Sequence, residues 1–137
     1  MKRINIIFIF LVSACVIDSI NITELANDTG EDIAITLFLD RQYVYGAGVG
    51  PREDVLKHYA DRAEGYLVSV DTIATSATFT IPKGQTIDFF DGTGPTPDFS
   101  VLQKLIVKAN GVNKEYSGKE LKESVRKEGK NWVWRVR

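Results

Sequence analysis

The chain has one cysteine, one histidine and one methionine among its 137 residues. A lone cysteine excludes an intramolecular disulfide, and a lone histidine, His58, excludes a histidine-rich metal site. Neither charge dominates: 17 basic residues face 18 acidic ones, a net charge of −1. A general nucleic-acid binder needs a basic excess to displace counterions from phosphate, so that class is set aside. No apolar run approaches the roughly 20 residues that span a bilayer as a helix. There is also no complete nucleotide, metal or catalytic motif, and no cofactor is expected. The length suits one domain, and 44% hydrophobic with 26% charged residues is ordinary for a globular chain.

The N-terminus is more specific. Lys2 and Arg3 precede Ile4 to Val12, apolar except for Asn5, and then come Ser13, Ala14 and Cys15. Positive residues, a short apolar core and small residues before a cut site make a secretory signal. The segment Leu11-Val12-Ser13-Ala14-Cys15 resembles the lipobox of bacterial lipoproteins, with Val12 where leucine is commonest. That resemblance implies cleavage before Cys15, a diacylglyceryl group on its thiol and an acyl chain such as palmitate on the new N-terminus. The expected organisation is a signal peptide over 1–14, a tether over 15–18 and a domain over 19–137. Losing Lys2 and Arg3 takes the net charge from −1 to −3. Each buried methylene of the lipid contributes about 0.8 kcal/mol to anchoring. Val16, rather than aspartate, follows the cysteine. Among lipoproteins of two-membrane bacteria this points to the outer membrane, and the lack of an acidic cluster points to a domain facing the periplasm.

The rest of the chain reads as mostly strand. Ile33 to Leu39 alternates Ile33, Ile35, Leu37 and Leu39 against Ala34, Thr36 and Phe38, the pattern of a central strand covered on both faces. Asn27 to Asp32 is a turn cluster, and Ser19 to Leu25 before it is the expected partner strand. Thr78 to Ile81 and Thr86 to Phe90 flank Pro82-Lys83-Gly84-Gln85 and predict a hairpin. Leu102 to Ala109 and Val112 to Tyr116 flank Asn110-Gly111, the strongest short hairpin signal. Asn131 to Val136 closes the chain with Trp132, Trp134 and Val136 on one face. A helix is predicted from Pro51 to Gly65, with Val55, Leu56, Tyr59 and Ala63 as its apolar stripe, and a short polar one over Lys119 to Lys127. The expected fold is mainly β: a single-domain immunoglobulin-like or transthyretin-like β-sandwich with one or two short helices in connections. The mature part is similar in layout to small β-sandwich lipoproteins of the envelope, without a shared motif.

Several clusters invite a functional reading. Gly46 to Pro51 before a helix suggests an anion loop, but Pro51 and Arg52 stand where a phosphate loop needs lysine and a hydroxyl. Asp88, Asp91 and Asp98 around a Gly/Thr/Pro loop offer calcium-type oxygens without EF-hand spacing. His58 lies one helical turn from Asp54 and near Asp61, without an evident nucleophile. Trp132 and Trp134, with Tyr43 and Tyr45, are candidate stacking residues for a sugar, against the alternative of core packing. Asp18-Ser19-Ile20 and Asp71-Thr72-Ile73 resemble an O-glycosylation signal of some envelope bacteria, and Asn21-Ile22-Thr23 and Asn27-Asp28-Thr29 match the N-glycan acceptor pattern.

Residues 15–98 hold 5 basic and 14 acidic residues, and 99–137 hold 10 basic and 4 acidic. Interleaved strands would dilute that bias into a mixed surface. The expectation is a non-enzymatic, lipid-anchored envelope module, with no catalytic residues and no metal. It would meet a membrane through Cys15 and a protein or glycan through its loops or a strand edge. The alternatives are a small hydrolase using His58 or the Asp88–Asp98 loop, and a carbohydrate-binding lipoprotein using Trp132 and Trp134.

Overall fold

The computed structural model describes residues 19–46, 56 and 67–137. Among the described residues, nine strands and two short helices follow in order: β1 (Ile20–Asn27), β2 (Ile33–Leu39), α1 (Arg41–Gly46), β3 (Leu67–Asp71), β4 (Ser76–Ile81), β5 (Thr86–Thr93), β6 (Leu102–Ala109), β7 (Val112–Tyr116), α2 (Gly118–Ser124), β8 (Arg126–Glu128) and β9 (Asn131–Val136). They form a β-sandwich. One sheet has the order β5-β1-β9-β8 and the other β3-β4-β2-β6-β7. Neighbouring strands are antiparallel except β1 and β9, the first and last, which run parallel.

Alternation dictates the core. In β2 the side chains of Ile33, Ile35, Leu37 and Leu39 are fully buried, while Ala34, Thr36 and Phe38 are half-buried on the outer face. Their partners across the ladders, Phe79 and Ile81 on β4 and Leu105 and Val107 on β6, point the same way. Each such side chain contributes about 1.5–3 kcal/mol on burial. The facing sheet supplies Leu25, Ile87, Trp134 and Val136. A bulge in β5 leaves Phe89 without a partner between Thr23↔Phe90 and Glu24↔Asp88. As a result the adjacent Phe89 and Phe90 are both buried, which strict alternation forbids. Phe89 then touches Phe79 of the other sheet at 6.4 Å and Trp134 at 6.0 Å between ring centroids. Trp134 meets Tyr116 edge-on at 5.1 Å, so the aromatics bridge the two layers.

Two turns behave differently from one another. Asn110 (φ 51°) and Gly111 (φ 70°) join β6 to β7 in the two-residue hairpin that Asn-Gly specifies. Pro82 to Gln85 also turns, with Gly84 at φ 72° and Gln85 N–H donating to the Pro82 carbonyl at 3.2 Å. But β4 and β5 lie in different sheets, so the predicted hairpin is an arch. The expected pairing of the Ser19–Leu25 strand with β2 fails for the same reason: β1 sits between β5 and β9 in the opposite sheet. Turn residues reverse the chain, but they do not decide whether the returning strand pairs or crosses the core.

Helix α2 starts at a capping box. The Ser117 hydroxyl accepts from Glu120 N–H, and the Glu120 carboxylate accepts from Ser117 N–H at 2.7 Å. It ends at Ser124, shorter than the predicted Lys119–Lys127, because the chain turns extended at Val125 and enters β8. Helix α1 covers Tyr43 and Tyr45, where no helix is predicted. Of the helix predicted from Pro51 to Gly65, only Leu56 is described; it is helical and fully buried. The remainder lies outside the described residues.

Polar groups inside the sandwich are of two kinds. Asn27, only 1% exposed, donates through Nδ2 to the carbonyls of Glu31 (2.8 Å) and Ile81 (3.0 Å). Its Oδ1 accepts from Thr29 N–H (3.0 Å) and the Thr29 hydroxyl (2.6 Å). Thr23 is equally buried, and its hydroxyl has no hydrogen-bond partner among the described residues. An unmade bond inside costs the full desolvation of the group, so the two positions should respond in opposite ways. Asn27→Ala is expected to lose about 2–4 kcal/mol, whereas Thr23→Val should be neutral or stabilising by up to about 1 kcal/mol. Urea unfolding of both variants checks this, and a Thr23→Val loss comparable to that of Asn27→Ala would contradict it.

Candidate functional site

Strand order sorts the charges. Strands β3, β4 and β2 occupy one side of their sheet, and β6 and β7 the other. In the facing sheet β5 and β1 lie on one side, and β9 and β8 on the other. The two halves of the chain therefore do not interleave. Among the described residues before Phe99, nine carboxylates accompany two basic side chains; from Phe99 on, ten basic residues accompany four acidic ones. Among the described residues one flank is the more acidic and the other the more basic, in place of the evenly mixed surface expected, and the two meet where Asp28 pairs with Arg135 and Arg137.

Two of the clefts on the basic flank bear on binding. One, of about 250 Å³, is lined by Ser124, Arg126, Glu128, Val133, Arg135 and Arg137. Its guanidinium groups are already committed. Arg135 forks onto Glu128 at 3.0 and 2.7 Å and reaches Asp28 at 3.1 Å. Arg126 donates to the carbonyls of Glu123 and Val125, and Arg137 lies 3.7 Å from Asp28. The hydrogen bond from Arg135 holds the Glu128 carboxyl below its ordinary range, and Glu128 in turn raises the Arg135 guanidinium. This cleft closes the sheet rather than offering itself to a ligand.

The second cleft, of about 210 Å³, runs along the seam between the sheets. Val107, Val112, Tyr116 and Val136 make its apolar wall, and Lys114 and Arg137 its charged rim. Cross-strand register explains the lining: Lys114 faces Val107 and Tyr116 faces Leu105, so alternate side chains of β7 turn toward the seam. The Lys114 ammonium stands 4.9 Å above the Tyr116 ring. Strand β7 pairs with β6 on one side only, so its outer backbone edge is unpaired in its own sheet. Asn113, Lys114 and Glu115 are exposed along it. An apolar seam, an unpaired strand edge and surrounding lysines together suit an extended acidic segment.

The residues singled out in the sequence are dispersed. Cys15, His58, Asp54 and Asp61 lie outside the described residues, as does the glycine loop beyond Gly46. Trp134 is 2% exposed and Trp132 is half-buried against the core, so no paired indole platform forms. Both side chains share the inward face of β9, and that is why core packing claims them. Tyr43 is exposed on α1, while Tyr45 is half-buried with the Arg41 guanidinium 4.9 Å over its ring. Asp88 lies exposed on β5, and Asp98 accepts from Ser100 N–H. Among the described residues no three acids, histidines or cysteines converge on a possible metal position. Asn21 is buried and donates to the carbonyls of Gly94 and Thr96 at 3.0 and 3.2 Å, and Asn27 is spent as described, so neither is a glycan acceptor. The seam went unnoticed in the sequence because it is made by three strands, β6, β7 and β9, drawn from both sheets. Only the alternation of Val112, Lys114 and Tyr116 hinted at it.

The Glu128–Arg135 pair has a defined pH signature. A depressed carboxylate pKa stabilises the fold above the unfolded value, and that contribution fades as pH falls through the folded value. The thermal-stability gap between wild type and Glu128→Gln should be present at neutral pH and shrink once pH drops below 4.5. A gap that stays constant through acid titration would rule the ion pair out as its source. Compared with protein-family models, curated proteins and solved structures, the chain matches none.

Proposed function

We propose that this chain is a lipid-anchored protein of the bacterial cell envelope. In this reading it works without catalysis, holding an acidic, extended protein segment along β7 and the adjoining seam. The anchor rests on the lipobox-like segment ending at Cys15 and on the secretory signal before it. The favoured address is the outer membrane with the domain in the periplasm, because Val16 follows the cysteine.

The observation that carries the binding role is the coincidence of the unpaired β7 edge with the basic flank. Exposed lysines such as Lys108 and Lys114 raise the local concentration of an acidic partner and speed its encounter. The backbone edge then supplies hydrogen bonds independent of sequence, and the apolar wall of the seam selects side chains. A protein segment is favoured over a glycan because the buried Trp134 removes the paired stacking surface that a sugar would use. A binding role is favoured over hydrolysis because described carboxylates are occupied as caps and ion partners: Asp71 with the amides of Ile73 and Ala74, Asp98 with Ser100, Glu120 with Ser117 and Glu128 with Arg135.

Two measurements test the reading. Metabolic labelling with a fatty-acid analogue should mark the wild type and not Cys15→Ala; equal labelling removes the anchor. A photo-cross-linking residue at Asn113 on β7 should capture an envelope protein in cells, whereas the same residue at Ser69 on β3 should not. Lys114→Glu should abolish the adduct. Equal capture from both edges, or capture unaffected by Lys114→Glu, would overturn the β7 assignment.

A further inference from the structure

Strand direction fixes which loops share an end of the sandwich. Residue Ser19 leads into β1, so the start of β1 defines the end at which the chain enters. Ile20 pairs with Thr93, which puts the end of β5 there, and Asn21 binds the 94–96 loop that follows. Strand β9 is parallel to β1, so it also starts at this end, beside the Gly129-Lys130 turn. In the other sheet the Leu39 N–H donates to the Thr75 carbonyl, and the Asp40 N–H to the Val101 carbonyl. These bonds bring together the end of β2, the β3–β4 turn and the start of β6. The opposite end is equally well defined, by the bonds from Asn27 to Gln85 and Ile81 and from Asp28 to Val136.

Apolar side chains are exposed at both ends, Val68 and Val112 at the starts of β3 and β7, but the most exposed lie at the entry end. Ile73 in the β3–β4 turn is 81% exposed and Ile20 is 74% exposed, the two most exposed large hydrophobic side chains among the described residues. Tyr43 on α1, after β2, is exposed at the same end. The turn presenting Ile73 is rigid: Asp71 Oδ1 accepts from Ile73 N–H and Ala74 N–H, both at 2.9 Å, and the Thr75 hydroxyl donates to the Leu39 carbonyl at 2.8 Å. Carboxylates at this end cap backbone amides while staying exposed, Asp40 on Tyr43 N–H, Asp71 as above and Asp98 on Ser100 N–H. Lys119, Lys122 and Lys130 are exposed and make no ion pair among the described residues.

We infer that this end is a membrane-resting surface, with Ile73 and Ile20 seated among phospholipid headgroups and Lys119, Lys122 and Lys130 reaching phosphate. The inference rests on lipidation at Cys15. Three residues lie between Cys15 and Ser19, a span of four Cα steps and on the order of 15 Å when fully extended. A tether that short holds the entry end at high effective concentration against the bilayer, so even weak apolar insertion suffices to set the orientation. Strands then rise from the surface, and the opposite end stands about 26 Å away, the length of an eight-residue strand. The β7 edge runs along that height and faces sideways, parallel to the membrane plane.

The test uses the lipidated full chain reconstituted in phosphatidylethanolamine vesicles with a minor share of phosphatidylglycerol. Cys15 is the only cysteine and is consumed by lipid, so an introduced cysteine takes a spin label uniquely. A label at Ile73→Cys should be relaxed severalfold less by a water-soluble nickel chelate than one at Lys83→Cys in the opposite arch, and more by oxygen dissolved in the lipid. Vesicles that float with the protein but give equal relaxation at the two sites keep the anchor and overturn the docking. Protein that fails to float with vesicles overturns both.

Discussion

One side chain determines how the two sheets are joined. Asn27 ends β1 and bonds simultaneously to the end of β4 through Ile81, to the crossover loop through Glu31, and to Thr29. Its backbone holds the arch between β4 and β5 from both sides, through Gly84 and Gln85. Two transitions between the layers, β1 to β2 and β4 to β5, are thus pinned by the same buried amide. No hydrophobic residue can replace it. The carbonyls it satisfies would be left without partners in a water-poor site, and apolar contact does not compensate for that loss. Everything packed between the sheets, including the aromatic bridge through Phe89 and Trp134, depends on the layers meeting in the register this amide sets.

The alternation of β2, the Asn110-Gly111 hairpin and the inward face of β9 were legible from residues alone. Each is a local pattern with a local cause: a two-residue period, a left-handed backbone requirement, a shared strand face. What escaped was non-local. Pro82 to Gln85 announces a reversal, and nothing in those four residues distinguishes a hairpin from an arch. That distinction lies with Asn27, more than fifty residues earlier, which reads as one member of a polar turn cluster. Strand β8 is three residues long and entirely charged, so no pattern announces it. The capping box Ser117–Glu120 was present in the sequence as a serine followed three residues later by glutamate, and its meaning needed only the boundary of the helix it opens.

The candidate site follows the same rule. Trp132 and Trp134 drew attention by residue type, but the face they share is the one that closes the core. The charge bias between the two halves of the chain was visible as a count, and its consequence was not. Whether that bias becomes a surface depends on strand order alone. Orders β5-β1-β9-β8 and β3-β4-β2-β6-β7 keep the halves apart in both sheets at once, so a linear asymmetry becomes a spatial one.

That arrangement gives the molecule two independent axes. Apolar tips and the proposed tether define one, along the strands; the acidic and basic flanks define the other, across them. Under the proposed anchoring, a domain held by its entry end would lose most of its freedom to tumble, and the flanks would point only within the membrane plane. In that orientation the basic flank meets partners close to the membrane, and approach from directly above finds the opposite end instead, where Asp28 pairs with Arg135 and Arg137 while Glu31 and Asp32 accept from the amides of Asn110 and Lys83. Selectivity in such a design comes from geometry before chemistry. In the proposed reading the short β7 edge, with Lys114 turned to the seam, is what an acidic strand would meet from the side.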